Sequence, residues 1–242
     1  MKALRVLHSG LAWAVALPAT AVLGTAAAVV GGGGDRALGI ARAWARLLLA
    51  ASGCRLEVRG RDLAASCGVA VVMANHQSAL DIPVLLVAMP AELRTAFWAK
   101  DSLFRVPFLG RAMRAMGFVP VDRSRRRSAV SVIASSLELV RGGRSVLVFP
   151  EETYGPPEEL LAFQRGGFVL ALKTGLPIVP VGIRGTREAL PPDARMVSPA
   201  RLEVRVGTPI ATAGRGTSSR SELVEETRDA IALLAGKEAA GG

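Results

Sequence analysis

The stretch Asn75-His76-Gln77-Ser78-Ala79-Leu80-Asp81 contains the two side chains best suited to proton transfer. It follows the apolar run Val69–Ala74, so His76 is predicted at the carboxyl end of a strand, where open α/β sheets place ligands. Asp81 is followed closely by Pro83, a combination typical of a helix start. A carboxylate there can reach back to the imidazole, hold its Nδ1–H and leave Nε2 free as a base. A core histidine with a capping aspartate is the alternative interpretation.

Three more charged residues, Lys100, Arg123 and Glu151, each follow a predicted strand and are expected near His76. Both cations could pair with a phosphate, arginine through its planar fork and lysine as a point charge. The carboxylate of Glu151 could hydrogen-bond a substrate or orient the cations. A solvated basic loop and an ordinary loop acid are the alternatives, because Arg123 is followed by Arg125, Arg126 and Arg127.

Short apolar runs rich in β-branched residues alternate with helical patterns from about Leu56 onward. The predicted strands are Leu56–Val58, Val69–Ala74, Thr95–Ala99, Phe118–Val121, Ser145–Phe149, Ile178–Ile183 and Leu202–Val206. The predicted helices are Pro83–Met89, Phe108–Met116, Ser128–Arg141, Gly167–Thr174 and Arg220–Leu234. Several of the strands are apolar throughout, as strands buried on both faces must be. The pattern predicts an α/β fold with a mostly parallel central sheet flanked by helices.

The N-terminal 54 residues have a different texture. Leu11–Val30 is almost wholly apolar and long enough to cover a hydrocarbon core, although Pro18 and Gly24 interrupt it. Residues 36–52 then predict an amphipathic helix that lies in a membrane interface, with one apolar face and one basic face. The apolar face holds Ile40, Trp44, Leu47 and Leu48, and the basic face holds Arg42 and Arg46.

Positive charge flanks the apolar run on both sides, so both ends prefer the cytoplasm and a monotopic helical hairpin is favoured over a span. The sequence thus predicts a membrane-associated hairpin over residues 1–54 and an α/β domain over residues 55–242. A cleaved secretory signal and a second helix that merely packs on the domain are the competing interpretations.

The net charge is +10, and nearly all of the 30 basic residues are arginine, since lysine occurs only at Lys2, Lys100, Lys173 and Lys237. This balance favours anionic partners such as phospholipid surfaces, phosphorylated small molecules or nucleic acid. Aromatic residues are only 5% of the chain and no zinc-finger, RRM or helix-turn-helix pattern is found, which argues against nucleic acid. Two cysteines make neither a disulfide scaffold nor a zinc site.

Four blocks in order resemble the motifs of the glycerolipid acyltransferases, typified by lysophosphatidate (1-acyl-glycerol-3-phosphate) acyltransferase. The first is Asn75-His76-x4-Asp81. The second runs from Lys100-x2-Leu103-x2-Val106-Pro107-x2-Gly110 to Gly117-Phe118-Val119-Pro120-Val121-Asp122-Arg123; the third is Val148-Phe149-Pro150-Glu151-Glu152-Thr153, and the fourth is Ile178-Val179-Pro180-Val181-Gly182-Ile183. Together they cover roughly residues 70–185, and such an ordered set is far more specific than any single motif.

The resemblance implies the glycerolipid acyltransferase fold and transfer of a fatty acyl group to the hydroxyl of lysophosphatidic acid, making phosphatidic acid. The acyl donor would be a thioester of CoA or of acyl carrier protein, with no further cofactor and no metal. It also implies catalytic roles for His76 and Asp81 and substrate-binding roles for Asn75, Lys100, Arg123, Glu151 and Thr153. The expected location is the cytoplasmic face of a bacterial-type inner membrane.

Two positions depart from the third family motif. Glu152 stands where the family usually has glycine, and Tyr154 stands where it has arginine. Losing a guanidinium and gaining a carboxylate weakens a phosphate site. The acceptor is therefore either lysophosphatidic acid or another lysolipid, such as a lyso-aminolipid. A remote alternative is a non-enzymatic basic protein that binds membranes or nucleic acid.

Overall fold

The computed structural model describes residues 2–30, 34–122 and 126–238, and the side chains of residues 5–30, 34–122 and 130–238. Within them a seven-stranded sheet is flanked by helices. The strands are β1 (Arg55–Arg59), β2 (Val71–Ala74), β3 (Ala96–Lys100), β4 (Val119–Val121), β5 (Val146–Val148), β6 (Ile178–Arg184) and β7 (Arg201–Val206). The helices are α1 (Lys2–Val30), α2 (Asp35–Ala51), α3 (Arg61–Ala65), α4 (Asp81–Ala88), α5 (Leu109–Ala115), α6 (Arg126–Arg141), α7 (Gly166–Thr174), α8 (Thr186–Ala189) and α9 (Arg220–Ala235). Short 3₁₀ helices lie at Asp101–Arg105 and Thr217–Ser219.

The strand order is β1-β7-β6-β2-β5-β3-β4, and every neighbouring pair is parallel except β6 and β7. The central strands β2 and β5 are buried along their whole length. β1 alternates between exposed and half-buried positions, and in β7 every second residue is buried. This is the difference expected between strands covered on both faces and strands near an edge. The predicted α/β fold with a mostly parallel sheet is confirmed.

The fourth sequence block positions α9 on the sheet. A Cβ at Gly182 in β6 would lie 2.3 Å from the Leu234 carbonyl carbon and 2.4 Å from the Ala235 backbone nitrogen. Only a residue without a side chain leaves room for such a close approach. The C-terminal end of α9 is therefore held directly over the central part of the sheet.

The two N-terminal helices form a hairpin that packs on the domain. Trp44 of α2 donates its indole N–H to Thr20 Oγ1 of α1 at 3.0 Å, and Trp13 donates to the Arg195 carbonyl at 2.7 Å. Among the described helices, Arg5–Val30 of α1 is long and apolar enough to cross a membrane, and most of its side chains are exposed.

The buried residues of α2 are Ala37, Leu38, Ala41, Ala45 and Leu49, whereas Leu47 of the predicted apolar face is exposed. Arg42 is half-buried. Its guanidinium donates to the carbonyls of Leu86 and Pro90 at 3.1 and 3.0 Å, because these carbonyls at the end of α4 have no helical partners.

Candidate functional site

His76 and Asp81 lie against each other at the carboxyl end of β2. His76 Nδ1 is 2.7 Å from Asp81 Oδ2, and the Asp81 side chain is fully buried. The same oxygen accepts the backbone N–H groups of Gln77 and Ser78 at 2.6 and 2.9 Å. The carboxylate thus turns back onto the preceding loop, and its other oxygen has no hydrogen-bond partner among the described residues. The pair fixes the tautomer of His76 and leaves Nε2 as an acceptor for a substrate proton.

Asn75 fixes the loop that carries the histidine. Its side chain is buried, donates to the Ile183 carbonyl at 3.0 Å and accepts the Ile183 N–H at 2.7 Å. These two bonds continue the ladder between β2 and β6 beyond the end of β2. Ser78, also buried, adds a bond from its hydroxyl to the Leu190 carbonyl at 2.7 Å. Asn75 therefore shapes the site without lining its cavity.

Glu151 lies behind His76 and is buried. Its Oε1 accepts the backbone N–H of His76 at 2.8 Å, and its Oε2 accepts that of Leu161 at 2.9 Å. A Cβ at Gly155 would lie 2.3 Å from Oε2, so this glycine makes room for the carboxylate. Burial raises the pKa of the Glu151 carboxyl above its ordinary value, and the two N–H groups and the Lys237 ammonium act in the opposite direction. The geometry supports a role in holding the histidine loop rather than direct contact with an acceptor.

Two aromatic rings pack against the His76 imidazole. Phe149 stacks on it with ring centroids 4.0 Å apart, and Tyr154 lies at 4.5 Å in a tilted arrangement. Between them in the chain, Glu152 has φ +58°, a left-handed conformation that favours glycine. This conformation gives a physical reason for the glycine in the family motif, and Glu152 occupies it at a cost in strain.

A cavity of about 470 Å³ opens beside His76. Its apolar lining comes from α2, α4, the 3₁₀ helix, α5 and the residues after α5; it includes Trp44, Ile82, Leu86, Leu103, Leu109, Met113, Met116 and Phe118. Its polar lining is contributed by Lys100, Ser102, Glu152, Thr153 and Tyr154 in addition to His76. A smaller groove shares Trp98, Phe149 and Glu152 with it. The shape suits a molecule with one long apolar part and one polar part.

Of the remaining sequence-predicted residues, Lys100 and Thr153 lie at the cavity. Lys100 is the last residue of β3, is exposed and lines the cavity. Thr153 is exposed and also lines it. Arg123 lies outside the described residues. His76, Lys100 and Thr153 thus line one cavity, whereas Asp81, Asn75 and Glu151 are buried behind it and hold His76 and its loop.

Residues far along the chain fasten the loop that carries Glu151 and Tyr154, and sequence reasoning missed them. Lys237, just after α9, donates its ammonium to the carbonyls of Pro156 and Glu159, the latter at 3.1 Å. Arg187 of α8 donates to the Gly155 carbonyl at 2.8 Å. No motif or spacing marks either residue, because both act on backbone carbonyls across the fold. Among the described residues, no group of three or more His, Cys, Asp and Glu side chains is placed to hold a metal ion.

The model of the Acyltransferase family matches residues 55–184, which is more than half of the chain and includes all four sequence blocks. The chain belongs to the acyltransferase family.

Several curated relatives of this acyltransferase are named 1-acyl-sn-glycerol-3-phosphate acyltransferases. A chloroplastic protein of Brassica napus is 37% identical over 63% of this chain and 43% of its own length. The Saccharomyces cerevisiae protein is 36% identical over 66% of this chain and 53% of its own, and the alpha form of Mus musculus is 31% identical over 75% and 64%. The chain thus spans about two fifths to two thirds of the length of these relatives.

The crystal structure of the 1-acyl-sn-glycerophosphate acyltransferase PlsC of Thermotoga maritima has the same fold. It superposes with a TM-score of 0.82 over 97% of this chain and 96% of that chain, at 22% sequence identity. The match covers the N-terminal hairpin as well as the α/β domain of this acyltransferase.

Proposed function

We propose that this protein transfers a fatty acyl group from an acyl thioester, of CoA or of acyl carrier protein, to the free hydroxyl of lysophosphatidic acid, producing phosphatidic acid. The observation that carries the proposal is that His76, paired with the buried Asp81, lines a cavity with an apolar part and a polar part. The names of the curated relatives support the same reaction.

In the proposed reaction, His76 Nε2 accepts the proton of the acceptor hydroxyl as its oxygen attacks the thioester carbonyl. Asp81 stabilises the imidazolium through the 2.7 Å bond at Nδ1. The tetrahedral intermediate then collapses, the C–S bond breaks, and the imidazolium returns its proton to the leaving thiolate. No acyl-enzyme is required, because the hydroxyl itself is the nucleophile.

The two parts of the cavity match the two parts of the substrates. The apolar walls between α4, α5 and Trp44 would take an acyl chain, whose burial is favoured in proportion to its apolar area. Lys100 at the polar part would attract an acceptor phosphate, with Thr153 as a hydrogen-bond donor. Arg123 is proposed as the second phosphate-binding cation on the strength of the motif resemblance.

The hairpin supports membrane association. Leu11, Leu17, Val22 and Val29 of α1 are 60, 64, 66 and 79% exposed, which is unfavourable in water and favourable in a bilayer. Residues 1–54 would then be a monotopic membrane anchor and residues 55–242 the catalytic domain, on the cytoplasmic face of a bacterial-type inner membrane. The flanking positive charges support that orientation.

The experiment that tests the reaction measures acyl transfer from labelled acyl-CoA to lysophosphatidic acid in detergent. His76→Ala should lower the rate by at least about 10²-fold, because a general base is typically worth about 10²–10⁴-fold. His8→Ala, at the other histidine of the chain, is the matched control and should retain activity. Retention of a tenth of the activity by His76→Ala would refute the assignment of the base.

A second acceptor class is favoured by one observation: Glu152 lines both the main cavity and the smaller groove. A carboxylate there repels a phosphate and attracts an amine. The competing proposal is therefore the same acyl transfer to a lyso-aminolipid.

Acceptor competition separates the two proposals. If lysophosphatidic acid is the acceptor, a lyso-aminolipid without phosphate should compete poorly, and Glu152→Gly should improve KM for lysophosphatidic acid because it removes both the charge and the backbone strain. Equal rates with both acceptors in the wild type, lost in Glu152→Gly, would instead establish the aminolipid proposal.

A further inference from the structure

An apolar tip projects from the domain between the 3₁₀ helix Asp101–Arg105 and α5. Val106 and Phe108 in this tip are 43 and 44% exposed, with Pro107 between them also exposed. An exposed aromatic beside an exposed valine and proline is unfavourable in water unless the tip contacts another apolar phase.

The backbone holds this tip in its projecting conformation. Phe108 has φ +61°, which is strained for an aromatic residue. The Gly110 N–H bonds the Val106 carbonyl at 2.9 Å, and a Cβ at Gly110 would lie 2.1 Å from the Phe104 carbonyl oxygen. The backbone of this tight turn therefore holds the Phe108 side chain in its exposed position.

The tip adjoins the apolar helix α1. A Cβ at Gly24 would lie 3.2 Å from the Phe108 carbonyl oxygen, so the glycine that interrupts the apolar run lets α1 pass close to the turn. On other faces α1 carries exposed apolar side chains, of which Val22 is 66% exposed. The tip is thus in contact with the helix that is proposed to enter the bilayer.

Exposed arginines surround the tip, and the two leucines that flank it line the cavity. Arg105, Arg111 and Arg114 are exposed, with Arg105 paired to Asp101 at 2.5 Å. Leu103 and Leu109, on either side of the tip, line the apolar part of the cavity. Basic side chains around an apolar tip match the headgroup layer and the acyl layer of an anionic bilayer.

We propose that Val106, Pro107 and Phe108 insert into the bilayer as a second attachment point, which makes this turn the wall between the membrane and the acyl cavity. The inference rests on the membrane association proposed for the hairpin. It adds that the α/β domain itself is immersed at one defined turn, so that a lipid reaches the cavity beside α1 without crossing water.

The experiment places an environment-sensitive NBD probe at single cysteines in the full chain, with Cys54 and Cys67 replaced by alanine. The labelled positions are Val106→Cys in the tip, Val22→Cys in α1 and, as a control, Ser221→Cys at an exposed position of α9. The protein is reconstituted with vesicles of phosphatidylethanolamine and phosphatidylglycerol that carry nitroxide-labelled acyl chains. Probes at 106 and 22 should shift to the blue and lose at least half of their emission, whereas the probe at 221 should do neither.

Quenching at 22 without quenching at 106 would overturn the inference and leave the hairpin in the membrane. A lack of quenching at both positions would overturn membrane association as well. A blue shift at 106 without nitroxide quenching would mean that protein, such as a second copy of this chain, covers the tip, and would also overturn the inference.

A kinetic test uses Phe108→Ser, with Val130→Ser on α6, 75% exposed, as the matched control. Phe108→Ser should lower the rate on acceptor embedded in vesicles at least threefold and leave the rate on a short-chain micellar acceptor unchanged. An equal fall in both assays, or no fall in either, would contradict insertion of the tip.

Discussion

Three donors converge on a single oxygen atom of Asp81. The imidazole Nδ1–H of His76 and the backbone N–H groups of Gln77 and Ser78 all lie within 2.9 Å of Oδ2. The other oxygen, Oδ1, is buried and has no hydrogen-bond partner among the described residues. A single oxygen therefore fixes the position of both the loop and the imidazole. A substitution that keeps this oxygen and removes the charge can test the two contributions separately.

This asymmetry predicts different outcomes for two substitutions of Asp81. Asp81→Asn can direct its carbonyl oxygen to all three donors and place its NH₂ at the unpartnered Oδ1 position, so it keeps the tautomer and loses only the charge. Asp81→Ala loses both and should lower kcat by about 10²–10⁴-fold. Asp81→Asn should retain at least about tenfold more activity than Asp81→Ala, since neutral hydrogen bonds keep about half the strength of charge-assisted ones.

Initial rates in detergent, with thermal unfolding as a check on folding, measure the difference between the two Asp81 variants. Equal losses in both would show that the charge of Asp81, rather than the position of its oxygen, supports the histidine.

At the scale of elements, the sheet was predictable and the supporting contacts were not. All seven strands lie where the sequence predicts them. Strands such as β2 and β5 are continuous apolar runs, because a strand buried on both faces has to be apolar, whereas β1 and β7 alternate apolar and charged residues. The placement of His76 at the end of β2 follows from the same reasoning. The burial of Glu151 does not, since its partners are the backbone N–H groups of His76 and Leu161, and backbone groups leave no trace in a sequence.

The loop after β5 shows a second kind of contact that sequence patterns do not reveal. Lys237 is only 9% exposed and joins this loop to the end of α9, while Glu238 N–H bonds the Glu158 carbonyl at 2.8 Å. The close packing of α9 on Gly182 brings the lysine there. A residue beyond the segment shared across the family thus holds the loop that carries Glu151 and Tyr154.

Lys237→Met should therefore lower kcat by about 10- to 100-fold with little change in KM for the acyl donor, since small misplacements of a catalytic group are costly. Lys237→Arg keeps the cation and its donors and should recover most of the activity. Lys173→Met, at an exposed lysine on α7, is the control and should behave as the wild type. Steady-state kinetics of the three variants measure kcat and the KM for the acyl donor. A rise in that KM alone would instead place Lys237 in donor binding.

At the scale of the whole molecule, the hairpin is bonded to the catalytic domain at several separate points. Ser9 and Trp13 of α1 bind the Arg195 carbonyl, and the Val197 N–H donates to Ser9 Oγ at 3.0 Å. At the other end, Arg94 pairs with Asp35 at 2.6 Å. Trp44 of α2 also lines the main cavity. The hairpin therefore contributes to the site. Arg42, on the predicted basic face of α2, bonds to the domain, a contact that the sequence pattern does not reveal.

Substitution of Arg42 tests the coupling between the hairpin and the catalytic domain. The Arg42 guanidinium holds the carbonyls of Leu86, Met89 and Pro90 at the end of α4, the helix that begins at Asp81. Arg42→Met removes the donor to the Leu86 and Pro90 carbonyls, whereas the Met89 carbonyl still accepts from Arg61 at 3.3 Å, and it should lower the free energy of unfolding by about 1–3 kcal/mol. Arg46→Met, one turn further along α2 and exposed, should change the free energy of unfolding by less than about 0.5 kcal/mol.

Denaturant unfolding in detergent, with hydrogen exchange at α2 and α4, compares the two variants. If Arg42 couples the elements, both helices lose protection together in Arg42→Met, whereas loss confined to α2 would show that the hairpin folds independently of the domain that carries the catalytic pair.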